Sequence, residues 1–255
     1  MKRHDGTGGH DGAADAGAPI DGGPIDHRPE AAPPHFLGHR QRLRDRLDEA
    51  GATALADYEM LELVLFLAKP RGDVKPLAKT LIQRFGGFSG ALAAAPAELM
   101  RVPGVGESTV AALKTVRAAA QRLTRAEMLD RPTIGSAAAL LAYCRAHMAH
   151  EPIEQFRLIF LDRRNVVVAD EKQQQGTVDH TPVYPREVAK RALKLGASAV
   201  IMVHNHPSGD PTPSRADIEM TQMVARALDA LGIRLHDHLI IGRTGDFSFK
   251  AHGRL

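Results

Sequence analysis

The 255-residue chain has a single cysteine, Cys144. One thiol excludes an intramolecular disulfide, any Cys-x-x-Cys metal site, and the Pro-Cys-x-x-Cys half of a zinc deaminase centre. It makes a reducing, cytoplasmic compartment the expectation. Long hydrophobic runs are also missing. No apolar segment reaches the roughly 20 residues that a membrane-spanning helix requires, so no membrane partner is expected. The opening stretch, MKRHDGTGGHDGAAD, has two basic residues but no apolar core after them, and a secretory signal is not expected either. Neither charge sign dominates: 33 Lys and Arg face 30 Asp and Glu, for a formal net charge of +3. That balance permits nucleic-acid contact without requiring it.

What remains is ordinary globular material, 44% hydrophobic and 25% charged. Residues 1–34 are rich in Gly, Asp, Ala, Pro and His and read as a disordered tail. His4, His10 and His27 within it are scattered and suggest no site. From residue 35 to 124 the pattern is helical. GHRQRLRDRLDEAG, ADYEMLELVLFLAK and DVKPLAKTLIQRFGG each read as a helix closed by Gly or Pro, and SGALAAAPAELMRV as a short fourth. The next segment, VPGVGESTVAALKTVRAAAQRL, places Gly104-Val105-Gly106 as a tight turn between two helices. Its glycines permit positive φ and leave backbone N–H groups bare, which with the following helix start suits a phosphate. The segment resembles a helix-hairpin-helix, a module that usually grips nucleic-acid backbone without reading sequence. Glu107 argues against it, and a plain helical hairpin used for packing fits as well. TRAEMLDRPT reads as a linker, centred on 125–132.

Residues 133–255 read as an α/β domain. GSAAALLAYCRAHMAH is a helix with Ser136 as N-cap and Leu140, Leu141 and Cys144 on one face. The period then changes to two, and 154–174 reads as a hairpin turning at DRRN. YPREVAKRALKLG is a helix, ASAVIMVHNH a buried strand, SRADIEMTQMVARALDALG a long helix, and RLHDHLIIG and DFSF two further strands.

The densest chemistry follows the buried strand, in VHNHPSGDPTPSRAD. Residues i and i+2 of a strand share a face, so His204 and His206 project together from its C-terminal end. A Pro- and Gly-rich loop returns the chain to Asp217, in the first turn of the next helix. Two imidazoles and a carboxylate are a three-ligand set that suits zinc and leaves a position for water, whose pKa the ion lowers to about 7. A nearby free carboxylate is then needed to move protons. The competing account makes Ser214 and Asp217 a capping box and the histidines strand-end polar residues. His236 and His238 again lie two apart. With no third ligand at useful spacing, packing or surface roles are expected for them over ligand support. Asp210 either touches substrate or shapes its turn.

His-x-His, seven residues, Ser-x-x-Asp resembles the signature of JAMM (JAB1/MPN/Mov34) metalloproteins. The surrounding HNHPSGDPTPSRAD, with Gly176-Thr177, YPRE at 184–187 and DHLIIG at 237–242, is similar to the bacterial RadC-type branch, as is the helix-hairpin-helix ahead of it. The resemblance covers the chain from about residue 35 onward. It implies a cytidine-deaminase-like mixed sheet with flanking helices, preceded by a small all-α domain. It implies one Zn2+ per chain held by His204, His206 and Asp217. It also implies Ser214 as the serine that holds water or stabilises the oxyanion, and a glutamate general base at the first core strand. Glu154 fits that position, with Glu151 as the fallback. The implied activity is a metallopeptidase acting on a protein or peptide substrate. The alternative is a DNA-associated repair or recombination factor docked through Gly104, Val105 and Gly106. A metal-stabilised scaffold without turnover is a third reading. The literal His-Asn-His at 204–206 does not indicate an HNH nuclease, whose residues are dispersed over a ββα unit.

Overall fold

A computed structural model describes residues 38–129, 137–173 and 183–255. The tail histidines, the cap at Ser136 and the Gly176-Thr177 pair lie outside the described residues. The helical region contains α1 (His39–Ala50), α2 (Asp57–Ala68), α3 (Lys75–Phe85), α4 (Phe88–Ala93), α5 (Pro96–Leu99) and α6 (Glu107–Leu129). Glycine ends two of them as expected: Gly51 follows α1, and Gly86, at φ +75°, follows α3 in the left-handed conformation. The expected short fourth helix is two. Pro96 lacks the N–H that would continue α4 and instead starts α5 at its first position. Leu61, Leu65, Leu81, Leu99 and Leu113 form the heart of this region's core.

α6 runs through residues 125–129, the first part of the stretch expected to be a linker. Its charges mark exposed faces of a helix, while Leu113 packs into the helical core and Met128 into the core of the next region. One helix thus serves two cores. Gly38–Leu255 forms a single compact unit.

The α/β region is built from α7 (Ala137–Met148), β1 (Phe156–Leu161), β2 (Val167–Lys172), α8 (Pro185–Lys194), β3 (Ala199–Asn205), α9 (Arg215–Asp229), β4 (Arg234–Ile241) and β5 (Asp246–Ser248). The sheet order is β2-β1-β3-β4-β5, with β3 and β4 parallel and the other neighbours antiparallel. This is a mixed sheet with helices on both faces. Ile159, Leu161, Ile201 and Val203 pack with Tyr143, Cys144 and Met148 of α7. Phe156, Leu158, Val200 and Met202 pack with Val188 of α8 and Val224 and Leu228 of α9. Every residue of β3 is buried, which is why its sequence is a continuous apolar run rather than an alternation. Among the described residues no helix is long and apolar enough to cross a membrane.

Candidate metal centre

β3 alternates its side chains between the two helical layers. Val200, Met202 and His204 face the α9 side, and Asn205 faces the opposite side. α9 begins beside the end of β3, so its first turn meets His204. His204 Nε2 lies 3.0 Å from His206 Nε2 and 3.3 Å from Asp217 Oδ1, and His206 Nε2 lies 3.6 Å from Asp217 Oδ2. The ligand atoms of all three residues lie within 4.8 Å of one another. A tetrahedral ion with bonds of about 2.1 Å holds its ligand atoms roughly 3.4 Å apart, and the two His204 spacings, 3.0 Å to His206 Nε2 and 3.3 Å to Asp217 Oδ1, lie near that value.

Hydrogen bonding prepares the donors. His206 Nδ1 is 2.8 Å from the Asp210 carbonyl oxygen, which only accepts, so Nδ1 carries the hydrogen and the neutral ring offers Nε2 as a lone pair. Two imidazole nitrogens converging on one point beside a carboxylate are a donor set that a metal cation satisfies. The residues present therefore fit a metal ion. Burial pushes His204 down to about 4, so it is neutral at physiological pH. His206 is raised, chiefly by the Asp217 carboxylate beside it. Burial opposes ionisation of Asp217, but the two histidines and Ser214 outweigh it and hold the carboxyl well below its usual range.

The capping and ligand accounts of Asp217 hold together, because the carboxylate divides its oxygens. Oδ2 accepts from Ser214 N–H at 2.7 Å and from Ser214 Oγ–H at 2.6 Å, and Ser214 Oγ accepts from Asp217 N–H at 3.1 Å. Oδ1 is left facing His204. Asp210 shapes its turn, its carboxylate accepting from Thr212 N–H and Oγ–H, while its carbonyl orients His206.

Glu154 precedes β1 by two residues. Phe156 pairs with His204 in the antiparallel register, and Asn205 N–H donates to the Gln155 carbonyl at 3.4 Å, which carries the pairing on and brings Glu154 opposite His206, while Gln155 N–H donates to Asn205 Oδ1 at 2.9 Å. Its carboxylate helps raise His206. Glu151 is turned elsewhere: its Oε1 accepts from Arg117 of α6 at 2.7 Å and its Oε2 from Gln155 Nε2 at 2.7 Å.

Three further residues belong to the surroundings: Asn205 and Thr221, which sequence reasoning passed over, and His238, which it set aside. Asn205, fully buried, clamps the segment ahead of β1, its Nδ2 donating to the carbonyls of Glu151 and Ile153. His238, also fully buried, places Nε2 2.8 Å from His204 Nδ1 and Nδ1 2.6 Å from Thr221 Oγ1. His238 is packed, as one of the two expected roles has it, but it is not at the surface, and its contact with His204 corrects the discounting of ligand support. Its presumed pairing with His236 fails because the β3–β4 register slips at His236. Leu235 pairs with Val200 but Asp237 with Ile201, so Leu235 and His238, three apart, are the residues opposite one face. His236 instead lies beside Lys250, 3.4 Å from its Nζ. The spacing of His238 from the cluster offered no signal; only the fold supplies it.

The Gly104-Val105-Gly106 turn belongs to the helical region. Gly104 has φ +87° as anticipated, but Val105 N–H donates to the Val102 carbonyl at 3.0 Å and its side chain is buried. That N–H is not bare, which corrects one part of the anion-pocket expectation. Glu107 occupies the first turn of α6.

Comparison with known proteins agrees with this architecture. Residues 134–254 match the family of RadC-like JAB domains, and residues 37–111 match the UPF0758 N-terminal family. A UPF0758 protein of Rhodobacter capsulatus is 61% identical over 213 residues, 84% of this chain and all of that protein. One from Ruegeria pomeroyi is 56% identical over 223 residues, 88% of this chain and again the whole relative. The chain belongs to the UPF0758 family of RadC-like proteins. Its JAB domain is the region that carries His204, His206 and Asp217, and its N-terminal family region carries the glycine turn.

Proposed function

We propose that this RadC-like protein is a zinc-dependent hydrolase of peptide or isopeptide bonds. The observation that carries the reading is the convergence of His204, His206 and Asp217 on one point, with Glu154 opposite His206. Two nitrogens and one oxygen suit zinc better than the all-oxygen cations. When bound, zinc supplies a Lewis acid and makes water acidic enough to ionise near neutral pH. Glu154 accepts the proton of the attacking water and returns it to the leaving amine nitrogen. Its rival Glu151 is held by Arg117 and Gln155 and stays in a supporting place. Ser214 aligns the Asp217 carboxylate in the resting arrangement. To donate to a developing oxyanion its hydroxyl must rotate away from Asp217 Oδ2.

The test is elemental analysis of the purified chain followed by a screen of quenched fluorescent peptides. Close to one zinc per chain is expected, lost in His204→Ala. Glu154→Gln should keep the zinc and abolish hydrolysis. A chain that takes up no transition metal at neutral pH, or a peptidase activity that survives Glu154→Gln, would overturn the reading.

A further inference from the structure

Behind His204 lie two side chains outside the ligand set. We propose that His238 and Thr221 form a one-way hydrogen-bond relay that locks His204 in the tautomer presenting Nε2 to the cation. They are positioning residues of the centre, and the inference rests on the metal reading above while adding to it.

The direction of the relay follows from its far end. The Asp217 main-chain carbonyl only accepts. Thr221 Oγ1 lies 2.5 Å from it, one helical turn along α9, so the hydroxyl hydrogen points there. The lone pairs of Oγ1 then face His238 Nδ1 at 2.6 Å, and that nitrogen carries the ring hydrogen and donates. A neutral imidazole has one N–H, so His238 Nε2 accepts. His204 Nδ1, 2.8 Å away, is therefore the donor. His204 Nε2 is left as a lone pair, facing His206 Nε2 and Asp217 Oδ1. Reversing any link would set two hydrogens or two lone pairs against each other.

The surroundings keep the relay dry. His204, Thr221 and His238 are each no more than 1% exposed. Phe156 stacks beside His204 and Phe249 beside His238, with centroids 5.8 and 4.8 Å apart. No solvent competes for the ring nitrogens, and a buried donor left without its acceptor loses its hydration with nothing in return, so the arrangement is held rather than averaged. Both ends of the His204 ring are thereby tied to one residue. The Asp217 carbonyl governs Nδ1 through the relay, and the Asp217 carboxylate faces Nε2. Partners of this kind fix ring orientation and tautomer in metal-binding histidines.

Two measurements on the full chain test this. In the metal-free protein, long-range 1H–15N correlation spectra should show His204 and His238 both protonated at Nδ1. Zinc affinity, read by competition with a chromophoric chelator, should fall about 10–100-fold in His238→Phe and in Thr221→Val. Thr221→Ser, which restores the hydroxyl, should bind close to the unaltered chain. Circular dichroism checks folding. If His238→Phe does not fold, the nearly isosteric Thr221→Val and the tautomers of the unaltered chain decide. An Nε2-protonated His204, or undiminished affinity in Thr221→Val, would overturn the relay. So would equal losses in the Val and Ser variants, which would mark a merely structural effect. Failure of the unaltered chain to bind zinc would instead remove the metal reading itself, and the relay with it.

Discussion

At the residue scale, Asn205 shows how one side chain connects two functions of the site. It stands between the two histidines in sequence, yet the strand directs it to the opposite face. There its Oδ1 takes the Gln155 N–H and its Nδ2 reaches two carbonyls of the segment bearing Glu154. Asn205→Ala would orphan the buried Gln155 N–H, at about 1–3 kcal/mol. The expected outcome is a lower urea midpoint for the metal-free chain with zinc stoichiometry unchanged, read by fluorescence or circular dichroism and by elemental analysis. Unaltered stability would show that the clamp contributes nothing. His204, His206 and Asp217 were legible in the sequence because strand period and helix capping are local rules. Asn205 and His238 were not, because their partners lie 50 and 34 residues away in sequence. The slip at His236 also breaks the two-residue alternation on which any reading of β4 would rest.

At the element scale, the loop after β3 is held by its packing on the turn between β4 and β5. Gly209 has φ +95° and its carbonyl accepts the Arg243 N–H at 3.1 Å. A Cβ built on Gly242 would lie 2.4 Å from that same carbonyl oxygen and 2.9 Å from Pro211 Cδ. Gly242→Ala should therefore push the loop outward and draw the Asp210 carbonyl off His206 Nδ1. Zinc affinity is expected to fall roughly tenfold or more, measured by the same chelator competition, with the secondary structure retained. Equal affinity would show that the loop yields without disturbing the ring. Most elements were readable in advance: the hairpin, the buried strand and the Ser214-capped helix all stand where their patterns place them. The misread ones involve a proline that starts a helix where a continuous one was expected, and a charged stretch that is helical because only one side of it is buried.

At the scale of the whole molecule, the helical and α/β regions are joined by specific contacts as well as by chain. Arg117 of α6 donates from Nη1 to the Ala93 carbonyl at 3.1 Å and from Nη2 to Glu151 at 2.7 Å. It thereby ties the end of α4 to the segment that leads into Glu154. Arg117→Ala removes hydrogen bonds of a charged, partly buried group, worth about 1.5–3 kcal/mol to each such partner before solvent screening reduces it. A lower urea midpoint with zinc content unchanged is the expected result, and a midpoint equal to that of the parent would show the tie to be slack.

The two matched family segments, 37–111 and 134–254, leave most of α6 between them. That interval is no spacer. A fragment begun at residue 134 would lack Met128, and the wall formed by Tyr143, Cys144 and Met148 would open to solvent on that side. Anyone excising the α/β half for crystallisation should carry the whole of α6 with it.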